Sequence, residues 1–305
     1  MNKSCLIGFL MCSAFSLVVQ AATDGAHITK TISQIERKKG IKRTIQYRPD
    51  GNDFVCVNGK NRYTRALYGG ITDFRIETSD RPVFAAYKPK DSKHICFRLQ
   101  CGNQSIALDS LKFCEARYRA GRRTYRLTDP LLGKGELNIS VLAFPDAEGG
   151  IWRFTMKDMP EGALLHCYIS EIRAKNLSRN GDMGADRADS FDAPQLPKEQ
   201  KHYKLSLDGT TAYIVVEDQE LRLPALVEGT SLYDKSEKWR SEIESSLQIS
   251  TPDPYFNPLG GALAAAADGI WDGKIWLHGA IGWRSQLNGW RAAYILSLIH
   301  ISEPT

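Results

Sequence analysis

Tyr203-Lys204-Leu205-Ser206-Leu207, then Asp208-Gly209, then Thr210-Thr211-Ala212-Tyr213-Ile214-Val215-Val216 is the stretch on which the fold class turns. Two runs of alternating or β-branched residues flank an Asp-Gly pair, which accepts the positive φ angles of a tight primed turn. The pattern predicts a β-hairpin. Working outward, His94-Ile95-Cys96-Phe97-Arg98-Leu99 alternates, and Lys112 to Arg119 does so partly. Gly121 then separates that run from Thr124-Tyr125-Arg126-Leu127. Short runs of period two divided by turn residues are the mark of antiparallel hairpins. They dominate from about Arg43 to Glu228 with few helical periods, so the fold class expected is mostly β, a large antiparallel β-sandwich.

The texture changes near Tyr233. Asp234 can cap a helix with Glu237 reaching back, and Trp239, Ile243 and Leu247 recur at four-residue intervals along one face. Thr251-Pro252-Asp253-Pro254 cannot continue that helix, because proline lacks the backbone donor and pushes its predecessor toward extended geometry. Asn257 is then placed to cap a second helix with Pro258 at its first position, and Leu259, Leu263, Ala266 and Ile270 form an apolar stripe. The Gly and Ala of that segment permit close helix packing. The expected organisation is 1–22 signal peptide, 23–42 lead-in, 43–233 sandwich, 234–250 linker helix, 251–294 helical segment and 295–305 a non-native tail. The tail, ending Ser302-Glu303-Pro304-Thr305, resembles a translated sequencing adapter and is left out of the fold reading. The natural chain is expected to continue beyond Tyr294.

The 305 residues are enough for about two domains. Hydrophobic residues at 42% and charged residues at 25% exclude disorder and collagen. A net charge of +5 is thin for this length, which disfavours a dedicated nucleic-acid binder. Lys3, the apolar run Leu6 to Val19 and the small residues Ala21 and Ala22 read as a secretory signal, so a secreted or periplasmic protein free of the membrane after cleavage is expected. Cleavage leaves Cys56, Cys96, Cys101, Cys114 and Cys167, an odd set best read as buried free thiols. No Cys/His metal spacing, phosphate-binding Gly-Lys-Ser loop or Gly-x-Ser-x-Gly elbow occurs, so neither a metal nor a cofactor is expected.

Two stretches carry a resemblance. Tyr47 to Gly70, followed by Arg75-Ile76-Glu77-Thr78-Ser79-Asp80-Arg81-Pro82, and Ser250 to Ala262 with its neighbours up to Trp290-Arg291-Ala292-Ala293-Tyr294, resemble an uncharacterised family of large secreted bacterial proteins, domain of unknown function 4450. The second stretch also looks like the barrel entrance of six-hairpin glycosidases and disaccharide phosphorylases. The resemblance implies a sandwich, a linker helix and the first part of a truncated (α/α)6 barrel, in a carbohydrate-active protein whose catalytic acids lie beyond the end of this chain. The expected function is the N-terminal fragment of a glycoside hydrolase-like protein acting on a polysaccharide or oligosaccharide, the fragment itself inactive. The alternative is a non-catalytic carbohydrate-binding or scaffold protein.

Trp271, Trp276, Trp283 and Trp290 are interleaved with His278, Arg284, Gln286, Asn288 and Arg291. An indole covers the apolar face of a pyranose while guanidinium, amide and imidazole groups meet its hydroxyls. Gly279, Gly282 and Gly289 disfavour a regular helix here, so a loop lining a cleft is expected, with Trp283, Arg284, Trp290, Arg291 and His278 as substrate-binding residues. Glycoside hydrolysis usually needs two carboxyl groups about 5 to 9.5 Å apart. Asp268 and Asp272 are the nearest approach to such a pair, and solvated charges are the simpler account of them. Asp253 reads as a turn or cap residue. The acidic loop Asp182, Asp186 and Asp189 lacks calcium-loop spacing. Arg37 to Arg43 reads as a solvated basic lead-in. Arg117, Arg119, Arg122, Arg123 and Arg126 crowd one hairpin and could meet an acidic glycan, although alternation is expected to split them between two faces of a sheet.

Overall fold

A computed structural model describes residues 46–88, 92–171 and 202–277. The segment expected to be a signal peptide, the lead-in, the acidic loop at 182–189 and everything from His278 onward lie outside the described residues. Fifteen strands form two antiparallel sheets. The eight-stranded sheet runs β1 (Arg48–Asp50), β2 (Asp53–Val57), β8 (Phe113–Arg119), β9 (Arg122–Thr128), β10 (Glu136–Ala143), β11 (Gly149–Lys157), β14 (Thr211–Glu217), β15 (Glu220–Arg222). The other runs β13 (Tyr203–Ser206), β12 (Leu164–Glu171), β6 (Lys93–Cys101), β5 (Phe84–Tyr87), β4 (Arg75–Thr78), β3 (Arg65–Tyr68), with β7 (Gln104–Ala107) paired to β6. The mostly-β reading therefore holds.

Alternation explains the core. Cys114, Ala116 and Tyr118 of β8, Leu137, Ile139 and Val141 of β10, and Trp152, Phe154 and Met156 of β11 are every second residue of their strands, and all turn inward. They meet Leu67, Ile76, Phe84, Phe97 and Leu99 from the seven-stranded sheet in one buried cluster. Phe84 sits edge-on to Tyr125 and Trp152 of the facing sheet, at 5.6 and 5.7 Å between ring centroids. Cys56, Cys96, Cys114 and Cys167 are buried free thiols and Cys101 is half-buried, as their number suggested.

The hairpin expected between Tyr203 and Val216 is not formed. β13 pairs with β12 in one sheet, and β14 lies between β11 and β15 in the other. Asp208-Gly209 thus sits on a crossing between sheets, and Gly209 does not take a positive φ. This crossing lies beside the one from β11 to β12: Leu207 N donates to Ala163 O at 3.0 Å and Met156 N to Thr210 O at 2.9 Å. Leu207, fully buried in the inter-sheet core, holds the corner, and both sides of β14 are already occupied. The primed hairpin is found instead between β8 and β9, where Ala120 (φ 33) and Gly121 (φ 88) are both in the left-handed region.

Two helices follow. α1 (Leu226–Ser245) begins eight residues before the expected Asp234 and has no side-chain cap. Its buried stripe is Gly229, Tyr233, Ser236 and Arg240. That stripe lies on the outer face of the eight-stranded sheet, where Tyr233 packs with Leu142, Ile151, Tyr213 and Val215. A Cβ at position 229 would stand 2.4 Å from the Tyr213 ring, so glycine lets the helix lie close. The expected stripe of Trp239, Ile243 and Leu247 marks only the flank: Trp239 and Ile243 line a crevice with Tyr68, Tyr118 and Ala265, and Leu247 lies past the helix end. α2 (Leu259–Gly269) is not capped by Asn257, whose amide oxygen instead accepts from Thr251 N at 2.8 Å and braces the Thr251–Pro254 loop. Leu263 of its expected apolar stripe is 54% exposed, and the buried positions are Gly260 and Gly269. Close helix packing through glycine is found, since a Cβ on Gly261 would meet Glu244 Cγ at 2.8 Å.

Candidate functional site

The two-residue turn at Ala120-Gly121 decides where the arginines of the β8–β9 hairpin go. Arg119 pairs with Arg122 and Arg117 with Thr124, and paired residues share a face. Arg117, Arg119, Arg122 and Arg126 therefore all point outward, and Arg123 alone turns in. The expected split between faces is four to one, because a count along each strand misses the parity that the turn imposes. Across the sheet the pairings assemble two polar rows. One is Arg117, Thr124, Ser140, Arg153; the other is Glu115, Arg126, Asn138, Thr155. The next row begins with Arg119 and Arg122 and ends in Leu142 and Ile151, the apolar pair that packs against Tyr233 of α1.

These rows line an open groove of about 340 Å³, with Arg117, Arg122, Arg126 and Arg153 facing one lining carboxylate, Glu115. Its polar groups are held by neighbours. Arg117 bonds Glu115 at 2.8 Å and Asp50 at 2.8 Å, and Arg126 lies between Glu115 (3.3 Å) and Glu136 (3.5 Å). The hydrogen bond from Arg117 holds the Glu115 carboxyl below its usual range; partial burial opposes this and Arg126 adds to it. Arg122 reaches Glu237 of α1 at 2.8 Å, and Arg119 reaches Glu244 at 2.7 Å. Arg153 lies over the Tyr233 ring, 3.9 Å from its centroid, while the Tyr233 hydroxyl is 2.6 Å from Ser140 Oγ.

Arg123 belongs to a different structure. It is fully buried with Asp80 at the inner face, 4.0 Å from that carboxylate. Tyr47 bridges the two, its hydroxyl donating to Asp80 Oδ1 and accepting from Arg123 NH2 at 2.8 Å. Thr64 Oγ1 and Asn61 N also donate to Asp80, at 3.1 and 2.9 Å, and Arg123 and Tyr125 both donate to Ser79 O at 2.8 Å. Burial is the main cause that raises the Tyr47 and Tyr125 hydroxyls above their usual value. Next to it, Arg81 ties Gly59 O, Asp109 O and Leu111 O together. This knot is made from the Tyr47–Gly70 and Arg75–Pro82 stretches plus Arg123 and Tyr125, and with Asp80 and Arg123 wholly enclosed it fastens the sheets rather than meeting a ligand.

Of the residues expected to touch substrate, His278, Trp283, Arg284, Trp290 and Arg291 lie outside the described residues. Trp271 and Trp276 are described and stack on each other across a tight turn, ring centroids 4.3 Å apart, with Trp271 O accepting from Thr72 Oγ1 at 2.8 Å. Asp272 is taken up by that turn, accepting from Lys274 N at 2.9 Å and Ile275 N at 2.8 Å, bonds that lower its pKa. Asp253 likewise accepts from Tyr255 N at 2.9 Å, the turn role expected of it. Thr124, Asn138, Ser140, Arg153 and Thr155 were not foreseen, because each is an ordinary polar residue on an alternating strand until register sets them side by side. Burial pushes the Cys96 and Cys114 thiols up to about 12, so neither is a thiolate nucleophile at neutral pH. Among the described residues no group of three or more His, Cys, Asp or Glu is placed to hold a metal ion, and no helix is long and apolar enough to cross a membrane.

Residues 89–217 match the model of a family described as a domain of unknown function, DUF4450. The match spans β6 to β14 and so contains every residue lining the groove. No curated protein matches the chain.

Proposed function

We propose that the described sandwich is a carbohydrate-binding part of a secreted glycoside hydrolase-like protein acting on polysaccharide, and that an oligosaccharide lies in the groove across β8 to β11. The observation that carries the reading is the pair of polar rows lining an open cleft of about 340 Å³, the size of a small-ligand site. Guanidinium, amide and hydroxyl groups sit side by side there, the mixture that meets sugar hydroxyls. Their ion pairs hold several of them in place before a ligand arrives, which lowers the entropic cost of binding. The described part is not catalytic: Asp272 spends its carboxylate on backbone amides, and the groove has one lining carboxylate where glycoside hydrolysis usually needs two. The hydrolytic part of the reading rests on the six-hairpin resemblance.

The test is calorimetric titration of the whole chain with a panel of plant and host oligosaccharides. Thr124→Tyr, which fills the middle of the groove, is expected to abolish binding with its melting temperature within a few degrees of the parent. A double variant, Trp283→Ala with Trp290→Ala, is expected to keep it. Loss only in the tryptophan variant would move the site to the 271–290 segment, and turnover of polysaccharide by this chain would overturn the non-catalytic assignment.

A further inference from the structure

Resting on that reading, we infer that the groove selects an acidic glycan, one whose sugar units carry a carboxylate or sulfate, and that Arg153 is the residue that recognises the anionic group. The charges along the groove are unequally matched. At the β8 end Arg117 is shared by Glu115, Asp50 and Asp53, so its charge is answered within the fold. Toward α1, Arg122 has the single partner Glu237, and its Nε is buried without a hydrogen bond. Arg153 has no carboxylate partner among the described residues. Its guanidinium rests on the Tyr233 ring, and its Nε too is buried and unpaired. The enclosed Nε is out of a ligand's reach, so what a half-buried guanidinium held against an aromatic face can offer is its terminal amino groups, whose planar fork suits a carboxylate or sulfate.

A second observation points the same way. The one aromatic side chain among the lining residues, Tyr125, turns inward and is 1% exposed. The groove therefore offers no ring on which a neutral pyranose could stack, and discrimination must come from polar and charged groups. Arg117, Arg122 and Arg126 are answered by carboxylates of the fold, so the sign of that preference rests on Arg153, the lining guanidinium with no carboxylate partner among the described residues.

The experiment titrates the whole chain with tetragalacturonate, with the same oligosaccharide after carboxyl reduction, with a sulfated tetrasaccharide, and with a single-stranded oligonucleotide of equal charge. The acidic sugars are expected to bind at least about tenfold tighter than the reduced one, with affinity falling as salt rises. The carboxylate and sulfate probes then tell which anion is preferred. Arg153→Gln is expected to erase the preference, so that acidic and reduced sugars bind that variant with equal affinity. Arg126→Gln, at a side chain 43% exposed whose ion-pair contacts are 3.3 and 3.5 Å, repeats the test at a position that bears less on folding and should reduce the preference less. Equal affinity for acidic and reduced sugar overturns this inference but leaves the glycan reading standing. Failure of every sugar overturns both, as does an oligonucleotide that binds tighter than any of them.

Discussion

Arg122 and Arg123 are consecutive in β9, and the pleat of the strand separates them into two regions with opposite logic. Arg123 lies in the enclosed knot with Tyr47, Asp80 and Tyr125, where every neighbour is protein. Arg122 lines the open groove, where its side chain keeps some contact with water beside its ion pair to Glu237. A buried charge is tolerable only when matched inside the fold, so Arg123 depends on Asp80 and the bridging Tyr47, even though its Nη1 is left without a hydrogen bond. A charge facing water carries no such demand, so the groove can keep donors free for a ligand. The same residue type is thus fastening in one region and a candidate for recognition in the other.

The largest effect should come from breaking the knot. Arg123→Met strands the Asp80 carboxylate in the interior and should cost about 3 to 5 kcal/mol, read by urea denaturation. Replacing Asp80 by Leu in the same chain should restore much of that loss. If Arg123→Met alone costs no more than a surface change, the knot is not what fastens the sheets. Gly229→Ala comes next: its methyl must push Tyr213 or lift α1, for about 1 to 3 kcal/mol, and the shift should show in the chemical shifts of Tyr233 and Arg153 beside it.

Groove arginines should matter far less to folding. Arg126→Gln removes two long contacts made by a largely exposed guanidinium, so less than about 1 kcal/mol is expected from the same denaturation series. A cost near that of Arg123→Met would erase the contrast between the regions. The smallest effect is that of acid. Glu115 is held low by Arg117. Glu244, although its burial acts to raise it, is held low by Arg119 and Arg240. Carboxyls depressed in the folded state contribute stability that is full above the unfolded glutamate value of about 4.3 and is lost as pH falls through their folded values. Melting temperature should thus hold from neutrality to about pH 5 and decline below about 4.3. Glu244→Gln should shallow that decline.

The alternation of Phe113 to Arg119 and of Arg122 to Thr128 was readable because burying one face of a strand imposes period two locally, and so was the buried state of the cysteines. The groove was not, since Thr124, Ser140 and Arg153 come together only through the pairings of three strands up to 29 positions apart. The Asp208-Gly209 turn was misread for a related reason: the dipeptide permits a hairpin, but where its flanking strands go depends on which sheet edges are still open. The start of α1 is hidden in the sequence because, Tyr233 apart, its buried stripe is glycine, serine and arginine, which leaves little apolar period to find. The amino-acid sequence by itself determined that the described residues are mostly β, with two helices after the strands, because strand and helix periods are set by each residue's immediate neighbours. Which arginines fasten the core and which face a groove was decided by tertiary structure alone, because register and sheet membership are settled by competition between strands far apart in the chain.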